Sequence, residues 1–146
     1  MMRIAVIDGQ GGGIGSLIVK RLRDEFKDTV EVIALGTNAA ATATMMKSRA
    51  DKGATGENAI AWNVKVVDVI IGSLSVVLSH AMLGELTPAM AEAISSSKAK
   101  KILLPLTQES VEVVGVVKEP LPHMVDKMIE MVKMIVHRRA KEEQDV

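Results

Sequence analysis

The stretch RIAVIDGQGGGIG, residues 3–15, decides the fold, because one kind of backbone stops within it and another begins. Arg3 to Ile7 is a short, continuously apolar, β-branched run closed by Asp8-Gly9, the pattern of a strand buried on both faces. Beyond the glycines, Leu17, Ile18, Leu22 and Phe26 recur at helical spacing while Lys20, Arg21, Arg23 and Asp24 take the wet side. That segment is an amphipathic helix expected to pack on the sheet. A glycine-rich turn in this position lets the chain reverse tightly. It also leaves the N–H groups of the first helical turn, which lack intrahelical partners, open to an anion that no Cβ keeps away.

The same alternation continues outward. Val30 to Leu35 repeats the strand signature, and Gly36-Thr37-Asn38 leads into an Ala-rich and Met-rich helix reaching about Ala50. Asp51 to Gly56 reads as a turn, with Thr55 placed to cap a second, shorter helix carrying Ile60 and Trp62. Val66 to Ile71 is a third strand ending at Gly72, and Ser73 to Leu86 is a mixed segment of one helical turn and a loop. Thr87-Pro88 opens a helix to about Ser97, since a capping hydroxyl is followed by proline at the first helical position. Lys101 to Leu104 is a fourth strand, and Thr107 to Ser110 can turn the chain into a fifth, Val111 to Val117, running antiparallel at an edge. Pro120 and Pro122 precede a last helix from about His123 to Arg139, whose basic end suits the negative end of a helix dipole. Glu142 to Val146 reads as a frayed tail, so residues 1–140 form one domain and 141–146 its trailing end.

Strands alternating with helices imply a three-layer α/β sandwich of the Rossmann-like or flavodoxin-like kind, with five strands, mostly parallel, and one antiparallel edge strand. Strand order 2-1-3-4-5 and strand order 3-2-1-4-5 both remain open. The length of 146 residues suits one such domain, and 48% hydrophobic with 25% charged residues is an ordinary globular balance. Lys plus Arg and Asp plus Glu are equal at 18 each, so no net field draws the chain to nucleic acid or anionic lipid. One Phe, one Trp and no Tyr leave little surface on which bases can stack. The absence of cysteine removes disulfides, thiolate metal sites and cysteine nucleophiles together. Only four apolar residues separate Arg3 from Asp8, too few for a signal peptide, and no later apolar run is long enough for a bilayer; cytoplasmic residence is the expectation.

The candidate cofactor-binding set is Asp8, Gly9, Gln10, Gly11, Gly12, Gly13, Ile14 and Gly15, joined by Thr37, Asn38, Gly72 and Ser73 at other strand ends. In open parallel sheets ligands bind beyond the carboxyl ends of strands, where the strand order reverses. Asp8 can grip a cation or a ribose hydroxyl, or can simply be satisfied by loop N–H groups. Thr37 and Asn38 can cap the next helix as readily as touch a ligand. The loop misses the strict G-x-G-x-x-G spelling, because Ile14 falls at the third position. Gly9-x-x-x-Gly13-Ile14-Gly15 resembles the cofactor loop of the short-chain dehydrogenases. With no Tyr in the chain that family's Tyr-x-x-x-Lys pair is missing, which excludes its route of hydride transfer, and no Walker lysine is present for a P-loop NTPase. Nor does strand two end in the acid that grips ribose in dinucleotide sites. Glu57 and Glu85 are the candidates for acid or base work, although Glu57 also fits the favourable first turn of a helix. His80 stands near the exit of strand three without visible partners. No metal set is present. Met124, Met128, Met131 and Met134, with Val125, Ile129, Val132, Ile135 and Val136, make the last helix apolar over more than half its circumference, which implies a homodimer.

Taken in order, IAVIDGQGGGIG, LGTNAAATATMMKSRADKGATGENAI, VDVIIG, MLGELTPAMAEAI, KKILLPL and VVGV resemble an uncharacterised bacterial family of small Rossmann-like proteins, common in anaerobic Firmicutes, from about residue 2 to residue 117. The resemblance implies the fold. It also marks Gly9 to Gly15, Thr37-Asn38, Gly56-Glu57-Asn58 and Gly84-Glu85 as motifs, while carrying no activity. The leading expectation is a nucleotide-binding or dinucleotide-binding module whose ligand is a phosphate-containing small molecule, NAD(P) or another nucleotide, seated on the N–H groups of Gly11 to Gly15. The alternatives are a small enzyme acting on a phosphorylated metabolite and a homodimeric interaction protein with a non-functional pocket.

Overall fold

The computed structural model describes residues 1–145, so Val146, the last residue of the expected tail, lies outside the described residues. The chain runs β1 (Met2–Asp8), α1 (Gly13–Phe26), β2 (Val30–Gly36), α2 (Ala39–Lys47), β3 (Lys52–Thr55), α3 (Glu57–Asn63), β4 (Val69–Ser73), a short 3-10 turn (Leu74–Val77), α4 (Pro88–Ser96), β5 (Lys100–Leu104) and α5 (Leu121–Gln144). All strand pairings are parallel, in the order β3-β2-β1-β4-β5. This is the doubly wound arrangement of Rossmann-like and flavodoxin-like domains. The chain winds outward from β1 through β2 to β3, then returns to the other side of β1 for β4 and β5, so the order reverses between β1 and β4.

Both faces of β1 are covered, which is why its sequence is apolar throughout. Ile4 and Val6 join Ile18, Leu22, Met45, Val125 and Val132 in the core under α1, α2 and α5. Ala5 and Ile7 join Ile60, Leu86, Met90 and Ile94 under α3 and α4. Burial of each such large side chain stabilises the fold by about 1.5–3 kcal/mol. Thr87 caps α4 as its sequence predicts, its Oγ1 accepting from the Met90 N–H at 3.1 Å with Pro88 in the first turn.

Four expectations are corrected. Val111 to Val117 forms no antiparallel edge strand; the sheet is wholly parallel and the segment is irregular, with Val114 and Val117 exposed. The preceding loop is drawn back over the sheet end by hydrogen bonds from Ser75 Oγ to Thr107 Oγ1 and from the Met82 N–H to Glu109, which carry the chain away from the free edge of β5. The fifth strand instead lies in Asp51 to Gly56, where the sequence suggests a turn: Lys52–Thr55 pairs with β2 in the register Ile33 to Lys52 through Gly36 to Thr55. Being a short edge strand of which only Ala54 packs against the core, it carries no apolar alternation to betray it. Thr55 does not cap α3; its hydroxyl is 2.7 Å from that of Thr42, and the cap position falls to Gly56, in a left-handed-side conformation at φ 101°. At the other end, α5 remains helical to Gln144, past the expected start of the tail.

Candidate functional site

The β1–α1 turn sits where the strand order reverses, and its peptide groups divide into two sets. Asp8, buried at the end of β1, accepts from the Gly9 N–H through Oδ1 at 2.8 Å and from the Gly15 N–H through Oδ2 at 2.7 Å. The Gly12 N–H bonds to the Gly9 carbonyl at 2.9 Å, and the Gln10 N–H to Glu85 Oε1 at 2.9 Å. Asp8 therefore serves the loop itself. The N–H groups of Gly11, Gly13 and Ile14 have no hydrogen-bond partner among the described residues, which narrows the expected cradle of Gly11 to Gly15 to these three.

The glycines divide along the same line. A Cβ on Gly9 would lie 2.5 Å from both Met82 Sδ and Thr37 Oγ1. One on Gly15 would lie 2.8 Å from the Asp8 Cβ, and one on Gly12, held at φ 76°, 2.8 Å from the Ala41 carbonyl oxygen. Packing explains those three. Cβ atoms on Gly11 and Gly13 would meet nothing within 4 Å, and neither residue has the positive φ that demands glycine.

Thr37 and Asn38 stand beside the loop, at the end of β2. Asn38 caps α2 through Oδ1, which accepts from the Ala41 N–H at 2.9 Å, while its Nδ2 donates to the Gln10 carbonyl at 3.0 Å and to Glu85 Oε1 at 2.7 Å. Thr37 Oγ1 donates to the same carboxylate oxygen at 2.8 Å. Glu85 thus reaches from the loop after β4 across β1 to the end of β2. Burial alone would raise its carboxyl, but the hydrogen bonds from Gln10, Thr37 and Asn38 hold it below the ordinary glutamate value. For Asp8 the balance is opposite: burial raises the carboxyl, the Gly15 and Gly9 N–H groups pull it back, and the charge of Glu85 pushes it further up.

A cleft of about 280 Å³ opens between the ends of β1 and β4. Asp8, Gln10 and Ile14 form one wall, Ser73, Ser75 and Met82 another, and Leu106 to Glu109 the lip. Of the residues singled out in the sequence, Asp8, Gln10, Ile14 and Ser73 line this cleft, whereas Thr37, Asn38 and Glu85 lie outside its lining and are joined to the loop through Gln10. Gly72 lies inside β4, where a Cβ would come within 2.9 Å of the Ile7 carbonyl oxygen. Glu57 begins α3 and accepts from Thr87 Oγ1 at 2.7 Å, tying α3 to α4. His80 is exposed, and its N–H bonds to the Leu86 carbonyl at 2.7 Å. Met82 and Glu109 had no sequence signal, because each is brought in by an irregular loop whose path depends on the other: the Met82 N–H donates to Glu109 Oε1 at 3.3 Å.

No helix among the described residues is long and apolar enough to cross a membrane. No curated protein matches the chain in sequence. Among solved structures it is similar to a dodecameric FMN-dependent Ubix-like decarboxylase from Escherichia coli O157:H7, with 14% sequence identity and a TM-score of 0.46 over 91% of this chain and 94% of that one. Residues 3–137 match the family described as a domain of unknown function (DUF3842), and the chain belongs to that family.

Proposed function

We propose that this chain binds a nucleotide or dinucleotide, with a phosphate on the N–H groups of Gly11, Gly13 and Ile14 and the rest of the ligand directed along the strand ends into the neighbouring cleft. The observation that carries the reading is the division of the glycines. Packing accounts for Gly9, Gly12 and Gly15, whereas Gly11 and Gly13 face open space with ordinary backbone angles, where only the approach of something from outside rewards a missing side chain. The N-terminus of the 14-residue helix α1 adds the favourable end of its dipole. No Lys or Arg lines the cleft, so the phosphate depends on peptide N–H groups alone. The protein acts in this reading as a homodimer paired through the outer face of α5.

The test is a thermal-shift panel of NAD, NADP, FMN, ATP and simple sugar phosphates on the wild-type chain and on Gly11→Ala/Gly13→Ala. A ligand at a hundred times its dissociation constant stabilises by about 2.7 kcal/mol. The double variant is expected to melt at or slightly above the wild-type temperature, since alanine fits both positions and stiffens the unfolded chain by about 0.4–1 kcal/mol per site. It should nonetheless lose the ligand shift. A shift that survives in the variant removes the cradle, and no shift with any probe supports an interaction protein instead.

A further inference from the structure

Strand two ends in Gly36-Thr37-Asn38, without the acid that dinucleotide sites place there to accept the ribose hydroxyls. The geometry points to Glu85 as that acceptor: a carboxylate delivered by the loop between β4 and α4 to the end of β2, which makes the ligand a ribonucleotide. This rests on the phosphate-binding reading above and names the sugar that the same site takes.

Three donors converge on one oxygen of this carboxylate. The Gln10 N–H, Thr37 Oγ1 and Asn38 Nδ2 all reach Oε1, at 2.9, 2.8 and 2.7 Å. None of the hydrogen bonds among the described residues reaches Oε2. The Glu85 carboxylate is fixed by its first oxygen, and the second keeps its full capacity to accept. The donors are also of the right kind: a backbone N–H and two short side chains hold the group charged and rigid, so little freedom is lost when a hydroxyl binds.

The loop that carries Glu85 is held at a cost. His80, Met82 and Leu83 adopt left-handed backbone angles of φ 68°, 60° and 56°, followed by Gly84 at 93°, and Leu83 is 98% exposed. Bulky residues avoid that region, and persist there only where surrounding contacts over-determine them. The loop's own backbone hydrogen bonds, among them those between His80 and Leu86 and between Ala81 and Leu86, hold these angles together with the contacts of Glu85 with Gln10, Thr37 and Asn38 and of Met82 with Glu109. The close approach of Met82 and Thr37 to Gly9 completes the arrangement, since any side chain at Gly9 would displace both.

The competing role for Glu85 is that of an internal anion, filling the cradle that a phosphate would otherwise take. Of the N–H groups of the glycine turn its oxygen occupies only that of Gln10, and those of Gly11, Gly13 and Ile14 lie beyond its bonds. A carboxylate beside an open anion cradle suits a ligand with a hydroxyl next to its phosphate, and disfavours one with a second phosphate at that hydroxyl.

The test measures dissociation constants of the full chain and of Glu85→Gln for ADP, 2′-deoxy-ADP, 3′-deoxy-ADP, NAD, NADP and inorganic phosphate, with thermal melting to establish that the variant folds. In the wild type, loss of a ribose hydroxyl is expected to weaken ADP by about ten- to hundredfold, the worth of a hydrogen bond to a charged group, and NAD is expected to bind tighter than NADP. Glu85→Gln should erase most of both differences, while inorganic phosphate, relieved of a neighbouring negative charge, binds no more weakly than to the wild type. Equal binding of ADP and its deoxy forms overturns the assignment while sparing the phosphate cradle. Tighter binding of inorganic phosphate by the variant, together with equal binding of ADP and its deoxy forms, assigns Glu85 to the role of internal anion instead. Failure of ADP, NAD and inorganic phosphate alike to bind overturns the assignment together with the reading it rests on.

Discussion

Asp8 and Glu85 flank the same turn of chain and are displaced in opposite directions, the first upward by burial and the second downward because its three hydrogen bonds together outweigh burial, its largest single influence. The consequence for stability has opposite signs. A carboxyl raised in the folded state stabilises the fold in its neutral form. The Asp8 contribution is therefore complete below its ordinary value of 3.8 and is lost as the pH climbs through its elevated one. Glu85 contributes in its charged form, fully above its ordinary value of 4.5, and that contribution is lost as the pH falls through its depressed one. Carbon-detected titration of the side-chain carboxyls should place the Asp8 midpoint above 3.8 and the Glu85 midpoint below 4.5. Ordinary midpoints for both would mean that the turn is open to water and the two groups are not held as described. Glu85 itself was legible as a chemically interesting acid, but its place at the end of β2 was not, since the sequence separation from Thr37 is 48 residues and no local pattern records a hydrogen bond over that distance.

Single elements here depend on contacts that lie outside them, and β3 is the clearest case. Four residues of which only Ala54 is partly buried do not hold a strand by propensity. Just before it, Asp51 pairs twice with Val32 of β2, its N–H donating to the Val32 carbonyl and its Oδ2 accepting from the Val32 N–H, both at 2.8 Å. Arg23, a buried cation on α1, holds that corner: Nη2 reaches Asp51 Oδ2 at 2.7 Å and the Arg49 carbonyl at 2.9 Å, and Nη1 reaches the Lys27 carbonyl at 2.7 Å. Arg23→Met is expected to cost about 2–4 kcal/mol in urea unfolding, because charged hydrogen bonds are lost and carbonyls are left without a donor. Amide exchange should accelerate first across Lys52–Thr55. Asp51→Asn should cost less, since the Asp51 side chain is 42% exposed and water can replace much of what it loses. Exchange that accelerates uniformly over the sheet would assign Arg23 to the core as a whole rather than to this edge. On the sequence, Arg23 belonged to the wet side of α1; burial of its guanidinium is set by the loop carbonyls that come to meet it.

At the scale of the whole molecule, α5 settles only part of its apolar surface within one chain. Met124, Val125, Met128, Ile129 and Val132 are buried on the sheet, with Ile135 and Val136 packed against them, whereas Met131 and Met134 stay 50% and 63% exposed. Of the apolar surface from which the sequence implies a homodimer, most is spent within the chain, and two exposed methionines are what a partner could still cover. Sedimentation velocity is expected to give a dimer that becomes monomeric in Met131→Glu/Met134→Glu without loss of thermal stability in the monomer. A wild-type monomer at micromolar concentration would leave those side chains as solitary exposed apolar groups, which are ordinary on protein surfaces.

By itself the sequence determined that apolar strands alternate with amphipathic helices, that Asn38 and Thr87-Pro88 begin helices, and that a glycine turn opens α1. Each of these depends on residues within a few positions of one another, where spacing and backbone preference act directly. Tertiary structure alone decided that Lys52–Thr55 pairs with β2 while Val111 to Val117 stays unpaired, that packing claims three glycines of the loop and leaves two, and that a distant glutamate completes the end of β2. Those outcomes turn on which chain segments meet across the sheet, and the free energy of such meetings lies in partners far apart in the chain rather than in the segments taken one at a time.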